Sequence, residues 1–201
     1  MGKGRLEAFS DGVIAVTITI MVLELKVPIG AGLAELQGFL PSLLTYALSF
    51  VLVGIFWNNH HHLLHAAQHV DGLVLWTNLH WLFWLSLVPF VTGWVAERPS
   101  EPLPTSLYGA IFFLAGLAYL FLQMALVRRN GRDSLLARAI GRDWKGKASA
   151  VLYLAGFLAA FARSWVAYVL YLMVALLWIV PDRRIERRIL QSAEGGSASG
   201  G

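Results

Sequence analysis

The number and length of its apolar runs constrain this chain more than any other feature. A helix crosses a hydrocarbon core of about 30 Å with about 20 residues, because lipid offers no partner for an unpaired backbone N–H or C=O. Six runs read as candidate spans, at about 9–28, 40–66, 72–95, 104–127, 147–163 and 165–181. Only Arg163 and Ser164 part the last two, which predicts a tight helical hairpin. One helix from 147 to 181 is the competing reading, and at about 1.5 Å per residue it overshoots the bilayer. Composition agrees: 57% of the residues are hydrophobic and 14% charged, where a soluble domain carries about a quarter charged. The sequence therefore predicts an all-α integral membrane protein. Its first run, long and without a small-residue cleavage pattern, reads as a retained helix and not a cleaved signal.

The basic residues sort by loop. Lys3 and Arg5 precede the first span; Arg128, Arg129, Arg132, Arg138, Arg142, Lys145 and Lys147 separate the fourth from the fifth; Arg183, Arg184, Arg187 and Arg188 follow the sixth. Against these stand Lys26, Arg98 and Arg163 on the other side. Lys and Arg excess marks cytoplasmic loops, so both termini are expected in the cytoplasm, as an even span count requires. The formal net charge of +4 is then a matter of topology, with some anionic-lipid contact, and calls for no nucleic acid. One unit, residues 1–190, is expected to hold all six spans, with a short amphipathic helix in the 128–147 loop and a flexible low-complexity tail at 191–201. The absence of cysteine excludes disulfides and thiolate chemistry.

Polar groups inside spans are costly and ask for a reason. At 100° per residue, Gly12, Val16, Thr19, Ile20 and Leu23 share a stripe of the first helix about 100° wide. Ser10, Asp11, Ile14, Thr17, Ile18 and Met21 fall on the opposite half, so Asp11 is expected to point into the helix bundle. Two readings of Ser10 and Asp11 stay open. Either can cap a starting helix, with Thr17 and Thr19 bonding back to their own helix; or they belong to a polar network. In "NNHHHLLH", His61 and His65 stand four apart, as do His65 and His69, a spacing that can share a metal. Without Cys, or Asp and Glu nearer than Asp71, interhelical and headgroup hydrogen bonding is the stronger reading, and no metal is assigned. Asn78 and His80 lie in an apolar run with Trp76, Trp81 and Trp84, where amides and imidazoles join helices. No GxSxG, HExxH, intramembrane Asp pair or phosphate-binding loop occurs, so no enzyme is expected.

Arg5-x-x-x-Phe9-Ser10-Asp11 opens the first span, "LELKVP" closes it, "FWNNHH" ends the second, and "NLHWLFWLSLVPF" lies in the third. In order and at the right helix ends, over roughly the first 95 residues, these resemble the transmembrane protein 175 family of endosomal and lysosomal potassium channels. The remainder is similar by span count only. The resemblance implies a potassium-permeable cation channel without a P-loop, in the prokaryotic inner (plasma) membrane, assembling from six-span chains as a homotetramer whose first helices line the pore. It places stacked aliphatic gate layers on Val16, Ile20 and Leu23 and the pore-lining threonine on Thr19. Arg5, Phe9, Ser10 and Asp11 would support the structure against His60, His61, Asn78 and Trp81. Val16 stands where a larger Ile or Leu is usual, which leaves Ile20 or Leu23 as the tighter constriction. No cofactor is implied beyond the permeant K+. The alternative is a proton or metal-ion carrier using Asp11 and the His60–His69 cluster.

Overall fold

The computed structural model describes residues 2–30, 32–131, 133–140 and 144–179. It is all helical there, with α1 (Lys3–Leu23), α2 (Leu33–Ala66), α3 (Gly72–Ser86), α4 (Val88–Glu97), α5 (Pro102–Asn130), α6 (Leu135–Ile140), α7 (Trp144–Ala160) and α8 (Ser164–Ile179). Among the described residues four stretches are long and apolar enough to cross a membrane: α1, α2, α3 with α4 taken together, and α5. The apolar α8 is shorter. α7 and α8 form the expected hairpin, broken at 161–163. The low-complexity tail lies outside the described residues, as do Arg132, Arg142, Arg183, Arg184, Arg187 and Arg188.

Helix bounds depart from the apolar runs in three places, each for a local reason. α1 begins at Lys3 and not near residue 9, because Lys, Arg, Leu, Glu and Ala are good helix formers and their charged ends can reach water. Ser10 and Asp11 therefore sit two turns inside the helix, which rules out the capping reading. α2 begins at Leu33, seven residues early, with Glu35 in its first turn and Pro41 inside it. At about 51 Å it overshoots any bilayer core. The third run is two helices: Pro89 lacks the N–H that would bond Leu85 and crowds that carbonyl, so the path breaks at Leu87.

The ends of the bundle carry different charge. At one end Lys3 Nζ donates to the carbonyls of Ala67 (2.9 Å) and His65 (3.3 Å), at the C-terminus of α2. Asn130 Oδ1 there accepts from the Gln68 and His69 amides, both at 2.9 Å, and Arg129 Nε lies 3.9 Å from Asp71. At the other end Lys26 pairs with Glu97 at 2.5 Å, and the Ser164 hydroxyl donates to the Ser100 carbonyl at 3.0 Å. Between the ends, the core is built on Trp81, Tyr108, Phe112 and Tyr171, all fully buried. The Tyr171 ring fills a slot where Gly109 and Gly156 face it: a Cβ at either would lie 2.1 or 2.4 Å from its atoms. Tyr171 OH then donates to the Thr105 carbonyl at 3.1 Å.

Candidate functional site

α1 buries one stripe, hydroxyls included, and leaves the opposite one bare. Leu6, Ser10, Ile14, Thr17 and Met21, spaced three or four apart, are buried against α2, α3 and α4. The opposite stripe is bare in the single chain. Val16 is 55% exposed, Ile20 42% and Leu23 78%, and Gly12 and Thr19 are exposed beside them. Two hydroxyls, Ser10 and Thr17, thus face the protein together with Leu6, Ile14 and Met21, while the bare stripe is aliphatic apart from Gly12 and Thr19. A buried hydroxyl costs free energy unless it is hydrogen-bonded.

Ser10 Oγ donates to the Leu6 carbonyl at 2.9 Å and Thr17 Oγ1 to Val13 at 2.9 Å, which satisfies each within α1. Thr19 Oγ1 donates to Val16 at 3.0 Å, leaving its lone pairs on the exposed side. Ser10 then has acceptor capacity left, and Asn78 Nδ2 of α3 donates to it at 2.9 Å. Asn78 Oδ1 accepts from His60 Nε2 of α2, also at 2.9 Å. Because an amide oxygen can only accept, His60 carries its proton on Nε2. The chain therefore runs in one direction, from His60 through Asn78 and Ser10 to the Leu6 carbonyl. Trp81 stacks on His60 with ring centroids 4.6 Å apart and planes 18° from parallel. Ser10, His60, Asn78 and Trp81 are all fully buried, so one polar latch joins α1, α2 and α3. His60 Nδ1 and Trp81 Nε1 have no protein partner.

The remaining signature residues sit outside that latch. Asp11 does not point into the bundle centre: it is half-buried at the flank of α1, where its Oδ1 accepts from Trp57 Nε1 at 3.0 Å. Wheel angles place a residue on a helix, but not where the neighbouring helix stops covering it. Trp57 is a partner the sequence reading missed, although "FWNNHH" contained it. His61 faces Glu7 instead, Nδ1 to Oε1 at 3.3 Å, and stacks between Trp57 and His65. His61 and His65 rings lie 6.3 Å apart, and among the described residues no group of three His, Asp or Glu converges. Arg5 is exposed, and its guanidinium makes no hydrogen bond or ion pair among the described residues. Phe9 is 48% exposed. It lines a groove of about 770 Å³ between α1 and α4, with Val16, Ile20, Glu24, Pro89 and Phe90 along it.

Residues 5–89 match the family model of the endosomal/lysosomal potassium channel TMEM175. A Chryseobacterium protein named a potassium channel is 46% identical over 192 residues, covering 96% of this chain and all of its own length. The crystal structure of a lysosomal potassium-selective channel TMEM175 homolog from Chamaesiphon minutus superposes with a TM-score of 0.75 at 28% identity, over 89% of this chain and 96% of that one. The human protein named endosomal/lysosomal proton channel TMEM175 is 33% identical over 133 residues, 58% of this chain and 26% of its own.

Proposed function

Because this chain belongs to the endosomal/lysosomal potassium channel TMEM175 family, we propose that it forms a potassium-permeable cation channel around the α1 helices of four copies. The family is one of membrane channels and not of enzymes, and the chain is a multi-pass membrane protein. The six-span topology with both termini in the cytoplasm belongs to the proposal, as does the inner membrane as its site. In support, Lys3, Arg5, Arg128 and Arg129 gather at the end opposite Lys26, Arg98 and Arg163.

The observation that carries the pore assignment is the bare stripe of α1. A single chain leaves Val16, Thr19, Ile20 and Leu23 uncovered while anchoring the reverse face with a directional polar latch. Four such stripes about one axis form stacked aliphatic rings. Rings of this kind gate by diameter and by dewetting. Val16 is the smallest of the three, so the constriction falls at Ile20 or Leu23. Thr19 oxygens supply dipoles without fixed charge, and K+ passes as a permeant, with no cofactor taking part. Without a carbonyl-lined filter, discrimination of K+ from Na+ is modest. Ser10, His60, Asn78 and Trp81 hold the helix and do not touch the ion.

Protein reconstituted in liposomes under a potassium gradient tests this. Flux above empty vesicles is expected, altered by Ile20→Ala and Leu23→Ala, with a bi-ionic K+/Na+ reversal potential on the potassium side. Flux equal to empty vesicles, or indifferent to both substitutions, overturns it. A second permeant is favoured by the mammalian relatives named as proton channels; a reversal potential that follows an imposed pH gradient is its signature.

A further inference from the structure

A second buried polar cluster lies at the outer half of α1, away from the latch. Thr92 of α4, Ser49 of α2 and Tyr108 of α5 are buried together, and Met21 of α1 is fully buried against them. Thr92 Oγ1 lies 2.8 Å from Ser49 Oγ and 3.9 Å from Met21 Sδ. Ser49 Oγ also lies 3.0 Å from the Thr45 carbonyl and 3.0 Å from Tyr108 OH.

The hydrogens in this cluster can be counted. A threonine hydroxyl has one, so Thr92 donates to Ser49 or to Met21 but not to both. Ser49 gives its own to Thr45, and Tyr108 gives its own to Ser49, whose two lone pairs can accept from Thr92 as well. When Thr92 turns to Met21, every donor still has a partner and only one lone pair of Ser49 goes free. Neither arrangement orphans a buried donor, which is the expensive event. Sulfur is the weaker acceptor, so the Ser49 arrangement lies lower and the Met21 arrangement is within reach. The threonine rotor thus chooses between the α2–α5 scaffold and α1.

The next residue closes the seat. A Cβ at Gly93 would stand 3.2 Å from Glu24 Cβ, so the glycine lets the end of α1 lie close against α4. Consecutive residues of α4 therefore meet Met21 and Glu24, which flank Leu23 in sequence and follow Ile20.

On the reading that α1 lines the pore, we propose that Thr92 is a positioning residue for the gate end of α1, its hydroxyl setting the closed-to-open balance through Met21. The side chain touches no ion. Its effect belongs in open probability and not in unitary conductance or reversal potential.

Single-channel recording in planar bilayers tests it with Thr92→Val, Thr92→Ser, Met21→Leu and the Thr92→Val/Met21→Leu double variant. Thr92→Val keeps the shape and removes the hydroxyl. It is expected to change open probability by about threefold to tenfold, the range that one buried hydroxyl contact spans. Thr92→Ser restores the wild-type value, Met21→Leu reproduces the valine effect, and the double variant matches either single one. Wild-type open probability in Thr92→Val overturns the proposal, as does a serine variant as altered as the valine, or additivity in the double. Should Thr92→Val fail to assemble, Met21→Leu carries the same test. Leu23→Ala separates the two levels: unchanged conductance removes the pore reading itself, whereas changed conductance beside a silent Thr92→Val removes this proposal alone.

Discussion

Replacing Asn78 by leucine probes the latch most directly. The two side chains are close in volume, so the packing term is small and the polar term dominates. Asn78 makes two hydrogen bonds of 2.9 Å, one accepted from His60 Nε2 and one donated to Ser10 Oγ. Leucine leaves the buried His60 N–H without an acceptor, while Ser10 keeps its bond to the Leu6 carbonyl. An orphaned buried donor costs about 1–3 kcal/mol, and interhelical hydrogen bonds in bilayers average about 0.6 and reach about 1.7 kcal/mol. Together these place the loss near 2 kcal/mol. At about 2–4 °C per kcal/mol for a chain of this size, the melting temperature should fall by about 4–8 °C. Intrinsic tryptophan fluorescence of detergent-solubilised protein reads this, with Trp81 stacked on His60 as a reporter at the site. Ser10→Ala made in the Asn78→Leu background should then cost less than about 0.5 kcal/mol, because its partner is already gone. A melting temperature within about 1 °C of wild type, or full additivity of the two changes, would refute the reasoning that these residues act as one directional chain.

Two further changes test the packing of the bundle and the tie between α1 and α2. Gly156→Ala puts a Cβ 2.4 Å from Tyr171 Cε1 and must push the ring off its bond to Thr105; a loss of about 1–3 kcal/mol is expected from such overpacking, read as thermal stability, and a neutral result would mean that the α5–α7–α8 packing is loose. Lys3→Met removes the ammonium from the last carbonyls of α2 but keeps the stem; at a partly exposed helix C-terminus the expected loss is about 0.3–1 kcal/mol, weaker in high salt, so a larger and salt-independent loss would contradict a capping role.

What the sequence determined by itself was whatever depends on periodicity and on the solvent. Apolar runs of bilayer length dictate helices, and the wheel of α1 separates Val16, Ile20 and Leu23 from Ile14, Thr17 and Met21 as the structure does. Ser10, His60, Asn78 and Trp81 could be named as candidates, since polar groups in an apolar run need partners and few partners were at hand. Pairing was not legible. Nothing local tells Asp11 to take Trp57, His61 to face Glu7, or Asn78 to sit between Ser10 and His60, because each choice depends on the depth at which two helices meet. The break at Pro89 is readable as a possibility, yet only packing turns α4 so that Thr92 reaches both Ser49 and Met21. Helix formation is a short-range matter of backbone bonds and solvent. The register between helices is fixed by contacts some 40 to 70 residues apart in sequence, such as Thr92 to Ser49 at 43 and Asn78 to Ser10 at 68, and those exist only once the bundle has closed.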